Sequence, residues 1–172
     1  MPRIGMNPSR GVTIDFEPAR TTVAVLVYAP HKAGYFQNRM DVTKMTIESI
    51  LVNTKESFDL LVFDNGSSQE MVDYLQDLEK KGSIDYLLLS KKNIGKMNAL
   101  NMIFNIAPGE IVAYCDDDVF HLPGWLGKHL EIIDTYPNVG AVTGFYIRER
   151  VGLSSDSTLA FANREDVQTR RG

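Results

Sequence analysis

Two hydrophobic periods alternate along this chain. Thr22 to Ala29 (TVAVLVYA) is a near-continuous apolar run of strand length, the pattern of a strand buried on both faces. Pro30 stops it, and HKAGYFQNR (residues 31–39) reads as a loop. Met40, Met45, Ile47, Ile50 and Leu51 then mark one face of an amphipathic helix reaching about Thr54. Phe58 to Phe63 (FDLLVF) repeats the buried-strand pattern and ends at Asp64-Asn65-Gly66. Ser67 and Glu70 have capping-box spacing at the start of a helix whose apolar stripe is Met71, Tyr74, Leu75 and Leu78, with Gly82 as its C-cap. Ile84 to Leu89 predicts a third strand. The loop SKKNIGK leads into a helix with Ala99, Leu100, Ile103 and Ile106 on one side, closed by Pro108-Gly109. A fourth strand begins at Ile111. Pro123 suits the first turn of a helix from about Gly124 to Tyr136, and Val139 to Tyr146 (VGAVTGFY) reads as a fifth strand.

Strand–helix alternation of this kind implies right-handed βαβ units and a mostly parallel sheet with helices on both faces, an α/β fold. Residues 1–21 carry three prolines, two glycines and no sustained period, and form an N-terminal arm. Residues 22–146 form the domain. From Ile147 the apolar period fades into a polar tail, 147–172, which is either mobile or part of a region that needs missing partners.

Composition narrows the function. At 172 residues the chain suits one domain with a good core. Eighteen basic against 22 acidic side chains leave a net charge of -4, which argues against a nucleic-acid partner. One cysteine, Cys115, excludes an internal disulfide and a cysteine-rich zinc site, and its strand position suits a buried structural thiol. There is no transmembrane-length apolar run and no signal-type N-terminus, so the reading is cytoplasmic, either free or peripheral at the inner membrane face.

The chemistry concentrates in IVAYCDDDVF, residues 111–120. Asp116, Asp117 and Asp118 follow an apolar strand at once, a costly placement unless a divalent cation or proton sharing neutralises them. Ligands in open α/β sheets bind just beyond such strand ends. An acidic helix cap explains the triplet equally well when it is taken alone. Other nucleotide folds are excluded by their loops. No G-x-x-x-x-G-K-[ST] or G-x-G-x-x-G follows the first strand, and a receiver domain's acidic residues are replaced there by Pro30 and His31.

Four features in order resemble the family 2 glycosyltransferases, which have a GT-A fold. The first is the apolar opening strand followed by a helix. Val62-Phe63-Asp64-Asn65-Gly66-Ser67-Ser68 is similar to the family's V-D-D-G-S-x-D turn. Asn93-x-Gly95-x-x-x-Ala99-x-Asn101 resembles its N-x-G-x-x-x-A-x-N helix start. Gly109-Glu110-Ile111 through Asp116-x-Asp118, with Pro123 and Leu126 beyond, resembles G-[DE]-[YI]-I…D-x-D…P-x-x-L. The match covers about Val23 to Phe145.

The resemblance implies transfer of a sugar from a nucleotide-diphosphate sugar, UDP-, GDP- or dTDP-linked, to a hydroxyl of a carbohydrate or lipid-linked acceptor, with inversion. It implies Mn²⁺ or Mg²⁺ as cofactor, held by Asp118 as main ligand with Asp116, while Asp116 and Asp117 also serve the ribose. Asp64 and Asn65 would meet base and ribose. Related enzymes carry an aspartate at the position of Asn65, which leaves the base undecided. Tyr28 and Pro30 would flank the base, although Tyr28 serves equally as core. Asn93, Gly95 and Lys96 would meet phosphate at a helix N-terminus, with Lys91 and Lys92 as a solvated face. His31, His121 and His129 lack metal-type spacing, and Trp125 is expected to pack on its helix face.

The family's general base lies well downstream of D-x-D. The only Glu-Asp pair here is Glu165-Asp166, closer than expected, so Asp166 is a weak candidate and the catalytic residue is unassigned. The chain then reads as the nucleotide-binding half of a longer enzyme, its tail a truncated acceptor region. The alternatives are a non-catalytic nucleotide-sugar-binding module and a metal-dependent nucleotidyltransferase. The latter should carry a Gly- and Arg-rich loop after the first strand, where this chain has Ala29-Pro30-His31-Lys32.

Overall fold

The computed structural model describes residues 16–144. Most of the expected arm and all of the polar tail, with Asp166, lie outside the described residues. Four strands, β1 (Thr21–Val27), β2 (Phe58–Asp64), β3 (Tyr86–Leu89) and β4 (Ile111–Asp116), form one sheet in the order β3-β2-β1-β4, with every pairing parallel. Four helices connect or follow them: α1 (Arg39–Asn53), α2 (Gln69–Lys80), α3 (Lys96–Ile106) and α4 (Trp125–Thr135). A single 3₁₀ turn, Gly34–Phe36, interrupts the loop expected at 31–39. The chain divides into two units after Gly127, and the whole sheet lies in the first.

The strand order explains where a site must lie. Successive strands move from β1 to β2 to β3, and right-handed crossovers put α1 and α2 on one face. The chain then returns past β1 to β4, so α3 covers the other. Side chains alternate across a strand. Ala24, Leu26, Leu61 and Phe63 accordingly form one cluster with Ala99 and Ile103 of α3, while Val23, Val25, Val27, Leu60 and Val62 are buried on the opposite side. The direction reverses between β1 and β4. The topological switch point therefore lies at their carboxyl ends, where open α/β sheets bind ligands.

Four local expectations need correction. Ser67 does not cap α2: its hydroxyl accepts the Ala29 N–H at 2.9 Å, Ser68 is the N-cap residue, and Glu70 pairs with Lys32 instead. A tertiary contact to the end of β1 outcompetes the local box. Met45 is exposed, and the inner face of α1 carries Thr43, Thr46 and Ser49 beside Met40, Ile47 and Ile50. Finally, Val139–Gly144 form no strand; Phe145 and Tyr146 lie outside the described residues. A parallel strand needs a partner ladder, and among the described residues β4 pairs with β1 alone. Ile84 and Asp85 also precede β3 rather than join it. Asp85 forms a local clasp instead, accepting the Leu60 N–H at 2.7 Å.

The remaining caps follow the sequence closely. At the end of α2, Gly82 has φ 73°, Ser83 N–H donates to the Leu78 carbonyl and Gly82 N–H to that of Glu79, a Schellman closure. Trp125 packs as expected, its ring 4.3 Å from that of His121, and its indole N–H donates to Thr54 Oγ1.

Candidate functional site

Pairing register brings the carboxyl ends of β1, β2 and β4 level: Val27 lies opposite Asp64, and Leu26 opposite Asp116. The next residues, Tyr28, Asn65 and Asp117, emerge along one edge.

At the end of β4 two side-chain cations pair with the three carboxylates and offset two of their three charges. Lys96, the first residue of α3, places Nζ 2.7 Å from Asp116 Oδ1. The Tyr114 hydroxyl donates to that same oxygen at 2.5 Å. Burial by itself would push the Asp116 carboxyl up, but these two hydrogen bonds, with the charges of Lys96 and Arg39, hold it below the usual range. The Tyr114 phenol is pushed up, first by burial and then by Asp116. Arg39, the first residue of α1, spans the other two aspartates: Nη2 lies 2.9 Å from Asp117 Oδ1 and Nη1 lies 2.9 Å from Asp118 Oδ2. Burial opposes the charge of Arg39, yet the two carboxylates outweigh it and hold the guanidinium protonated.

Asp117 is the buried member, its side chain 5% exposed against 42% for Asp118. Its Oδ2 accepts the Tyr28 N–H at 3.2 Å and the Thr43 hydroxyl at 3.3 Å, which ties β4 to β1 and α1 across the topological switch. Burial raises its carboxyl above the ordinary value and Arg39 recovers only part. Beyond the triplet, His121 N–H donates to Ser49 Oγ and its carbonyl accepts from Asn53 Nδ2, so the polar face of α1 supports this segment too.

The end of β2 is built differently. Asp64 is buried, and its Oδ2 accepts the N–H groups of Gly66 and Ser67, while Oδ1 has no hydrogen-bond partner among the described residues. Asn65 is also buried. Its carbonyl oxygen accepts the Ile94 N–H at 2.9 Å and its amide donates to Asn93 Oδ1 at 3.1 Å; Asn93 Oδ1 also receives the Gly95 N–H. Both polar ends of Asn65 are thus engaged in fastening the loop ahead of Lys96. Tyr28 sets its ring edge-on to Phe36 at 5.6 Å, and it and Pro30 are half-buried at the end of β1. Lys91 and Lys92 are exposed.

The structure thus gathers Tyr28, Asp64, Asn65, Asn93, Gly95, Lys96 and Asp116–Asp118 along one sheet edge. Sequence reasoning missed Arg39, Thr43 and Tyr114. The counter-charge expected from a metal or shared protons comes in part from Arg39 and Lys96. No group of three or more His, Cys, Asp or Glu side chains suited to a metal occurs among the described residues. A cation completed by phosphate oxygens needs only one or two carboxylates. Asp116 Oδ2 and Asp118 Oδ1 accept no hydrogen bond from the described residues, and both side chains are about half-exposed, so two hard oxygen donors remain and the donor set fits Mn²⁺ or Mg²⁺. Among the described residues no helix is long and apolar enough to cross a membrane.

Comparison with known proteins bears on the fold and the family. An uncharacterized glycosyltransferase of Rickettsia bellii is 31% identical over 103 residues, 59% of this chain and 13% of that protein. The glucosyl-dolichyl phosphate glucuronosyltransferase of Haloferax volcanii is 28% identical over 119 residues, covering 68% and 37%. This chain therefore spans well under half the length of either relative. Among solved structures, a Pyrobaculum calidifontis mannosyltransferase in complex with GDP-Man and Mn²⁺ matches with a TM-score of 0.57 at 21% identity, over 76% of this chain and 38% of that one. Staphylococcus aureus TarS in complex with UDP-GlcNAc matches with a TM-score of 0.52 at 18% identity, over 67% and 31%. These likenesses establish the fold as that of the GT-A glycosyltransferases. The glycosyl transferase family 2 model matches residues 36–169, most of the chain, and the chain belongs to that family.

Proposed function

We propose that this chain is the donor-binding part of an inverting, metal-dependent enzyme that moves a sugar from a nucleotide-diphosphate sugar to an acceptor hydroxyl. The observation that carries the reading is the placement of Lys96, Asp116 and Asp118 at the switch-point end of β4, with one oxygen of each carboxylate accepting no hydrogen bond from the described residues. A divalent cation bound there would offset charge developing on the leaving diphosphate. Asp118 would hold it with Asp116. Lys96, fixed beside the helix N-terminus by the Asn93–Gly95 loop, would meet the phosphates. Tyr28, Pro30 and the Asp64–Asn65 turn would border the base and ribose. The domain reading carries over as part of this proposal, with residues 22–146 binding the donor and the acceptor region and general base supplied beyond them.

The test is a thermal melt of the chain with UDP, GDP, dTDP and CDP, each with and without Mn²⁺. Ligand at about a hundred times its dissociation constant adds roughly 2.7 kcal/mol, a rise of roughly 5–10 °C for this size. A rise with one nucleotide that requires Mn²⁺ and disappears in Asp118→Ala supports the donor site. A cooperative melt unmoved by any nucleotide overturns it. Nucleotide binding without sugar transfer, in a protein of the relatives' length, would identify a binding module.

A further inference from the structure

We infer that Arg39 is a built-in counter-cation that shares Asp118 with the divalent cation, holding the aspartates in place beforehand and yielding Asp118 but not Asp117 when metal binds. The inference rests on the metal reading above and adds a residue to it. The two ends of the guanidinium fork are unequal. At Nη2 it meets Asp117, 5% exposed, whose second oxygen is already held by Tyr28 N–H and the Thr43 hydroxyl. Withdrawal there would strand a buried charge, which is strongly destabilising. At Nη1 it meets Asp118, 42% exposed, with no other hydrogen-bond or ion-pair partner among the described residues. Withdrawal there costs only an exposed ion pair, since water can replace Arg39. The Arg39 side chain is 18% exposed, its guanidinium carbon stands 5.9 Å from the centre of the Tyr35 ring, and Nε is buried without a hydrogen-bond partner among the described residues. Its donors are therefore not all used in this arrangement, and the side chain is anchored at one carboxylate while exchangeable at the other.

The experiment measures Mn²⁺ binding to the full chain, alone and with UDP or GDP added to supply the phosphate oxygens, by the electron paramagnetic resonance signal of free Mn²⁺ against a protein-free control. Arg39→Lys preserves net charge and a cation for Asp117, but an ammonium lacks the planar fork that spans two carboxylates. Freeing Asp118 from an exposed pair should tighten Mn²⁺ roughly two- to fivefold. Should Arg39→Lys fail to fold, the double variant Arg39→Gln with Asp117→Asn removes both members of the buried pair at constant net charge and carries the same expectation. Unchanged or weaker Mn²⁺ binding in the folded variant overturns the inference, as does wild-type protein that takes up no Mn²⁺. The nucleotide melts answer separately. A nucleotide shift with no change in Mn²⁺ affinity would remove the role of Arg39 and leave the donor site standing.

Discussion

The ends of β2 and β4 flank the end of β1 at the same sheet edge, and each presents acidic or amide side chains at a turn. Asp64-Asn65-Gly66 is held by backbone N–H groups and by one amide, with the Asp64 and Asn65 side chains buried. Asp116-Asp117-Asp118 is held largely by two long cations recruited from the first residues of α1 and α3. A turn fixed by backbone and amide hydrogen bonds cannot rearrange without leaving buried groups unpaired. Half-exposed ion pairs are weak and exchange readily with water or a new charge. One strand end is thus a fixed frame, and the other is an electrostatic socket anchored at the buried Asp117, whose partners at Asp116 and Asp118 can change.

The largest expected effect breaks the frame. Gly66 has φ 83°, and a Cβ there would lie 2.7 Å from the Lys92 carbonyl carbon and the Asn93 nitrogen. Gly66→Ala should cost roughly 2–4 kcal/mol from backbone strain and overpacking together, measured by urea unfolding. A loss below about 0.5 kcal/mol, the range of neutral surface changes, would mean the two loops do not approach so closely.

A smaller effect distinguishes frame from socket. Asn65→Asp matches the family's usual residue, yet it removes the amide that donates to Asn93 Oδ1 and sets two acceptors against each other. It should destabilise by about 1–2 kcal/mol. Amide hydrogen exchange should quicken at Ile94 and Gly95. Unchanged stability and exchange would show that Asn65 does not fasten that loop.

The smallest effect sharpens the contrast inside the triplet. Asp116, lowered by Lys96 and Tyr114, contributes stability that is present above the ordinary aspartate value and lost as pH falls through its lowered one. Asp117, raised by burial, has the opposite sign: it removes stability as pH rises from the ordinary value through its raised one. Carbon-13 NMR of the side-chain carboxyls should show Asp117 titrating at higher pH than Asp116. The reverse order would mean that Arg39 outweighs burial at Asp117.

The sequence revealed those parts of the molecule that repeat locally. Buried strands at 22–29 and 58–63 and the stripe of α2 carry their own period, so their placement needed no partner. The acidic triplet was conspicuous because three adjacent carboxylates demand a counter-charge. The source of that charge was hidden. Arg39 sits inside a polar loop pattern, 79 residues from Asp118, and a long-range ion pair leaves no periodicity. Ser67 misled for the related reason that a hydroxyl with capping-box spacing is equally free to serve a distant N–H. Residues 139–144 are apolar enough for a strand, but apolarity alone cannot supply a neighbouring ladder.

Cys115 gives the site strand a clock. It is the chain's only cysteine, lies one residue before the triplet, is 5% exposed, and has its thiol pushed up to about 12 by burial and then by Asp116. In the folded state the thiolate that alkylating reagents attack is both scarce and covered. Modification must proceed through transient opening of β4, so the rate of Cys115 labelling counts how often this strand end comes apart.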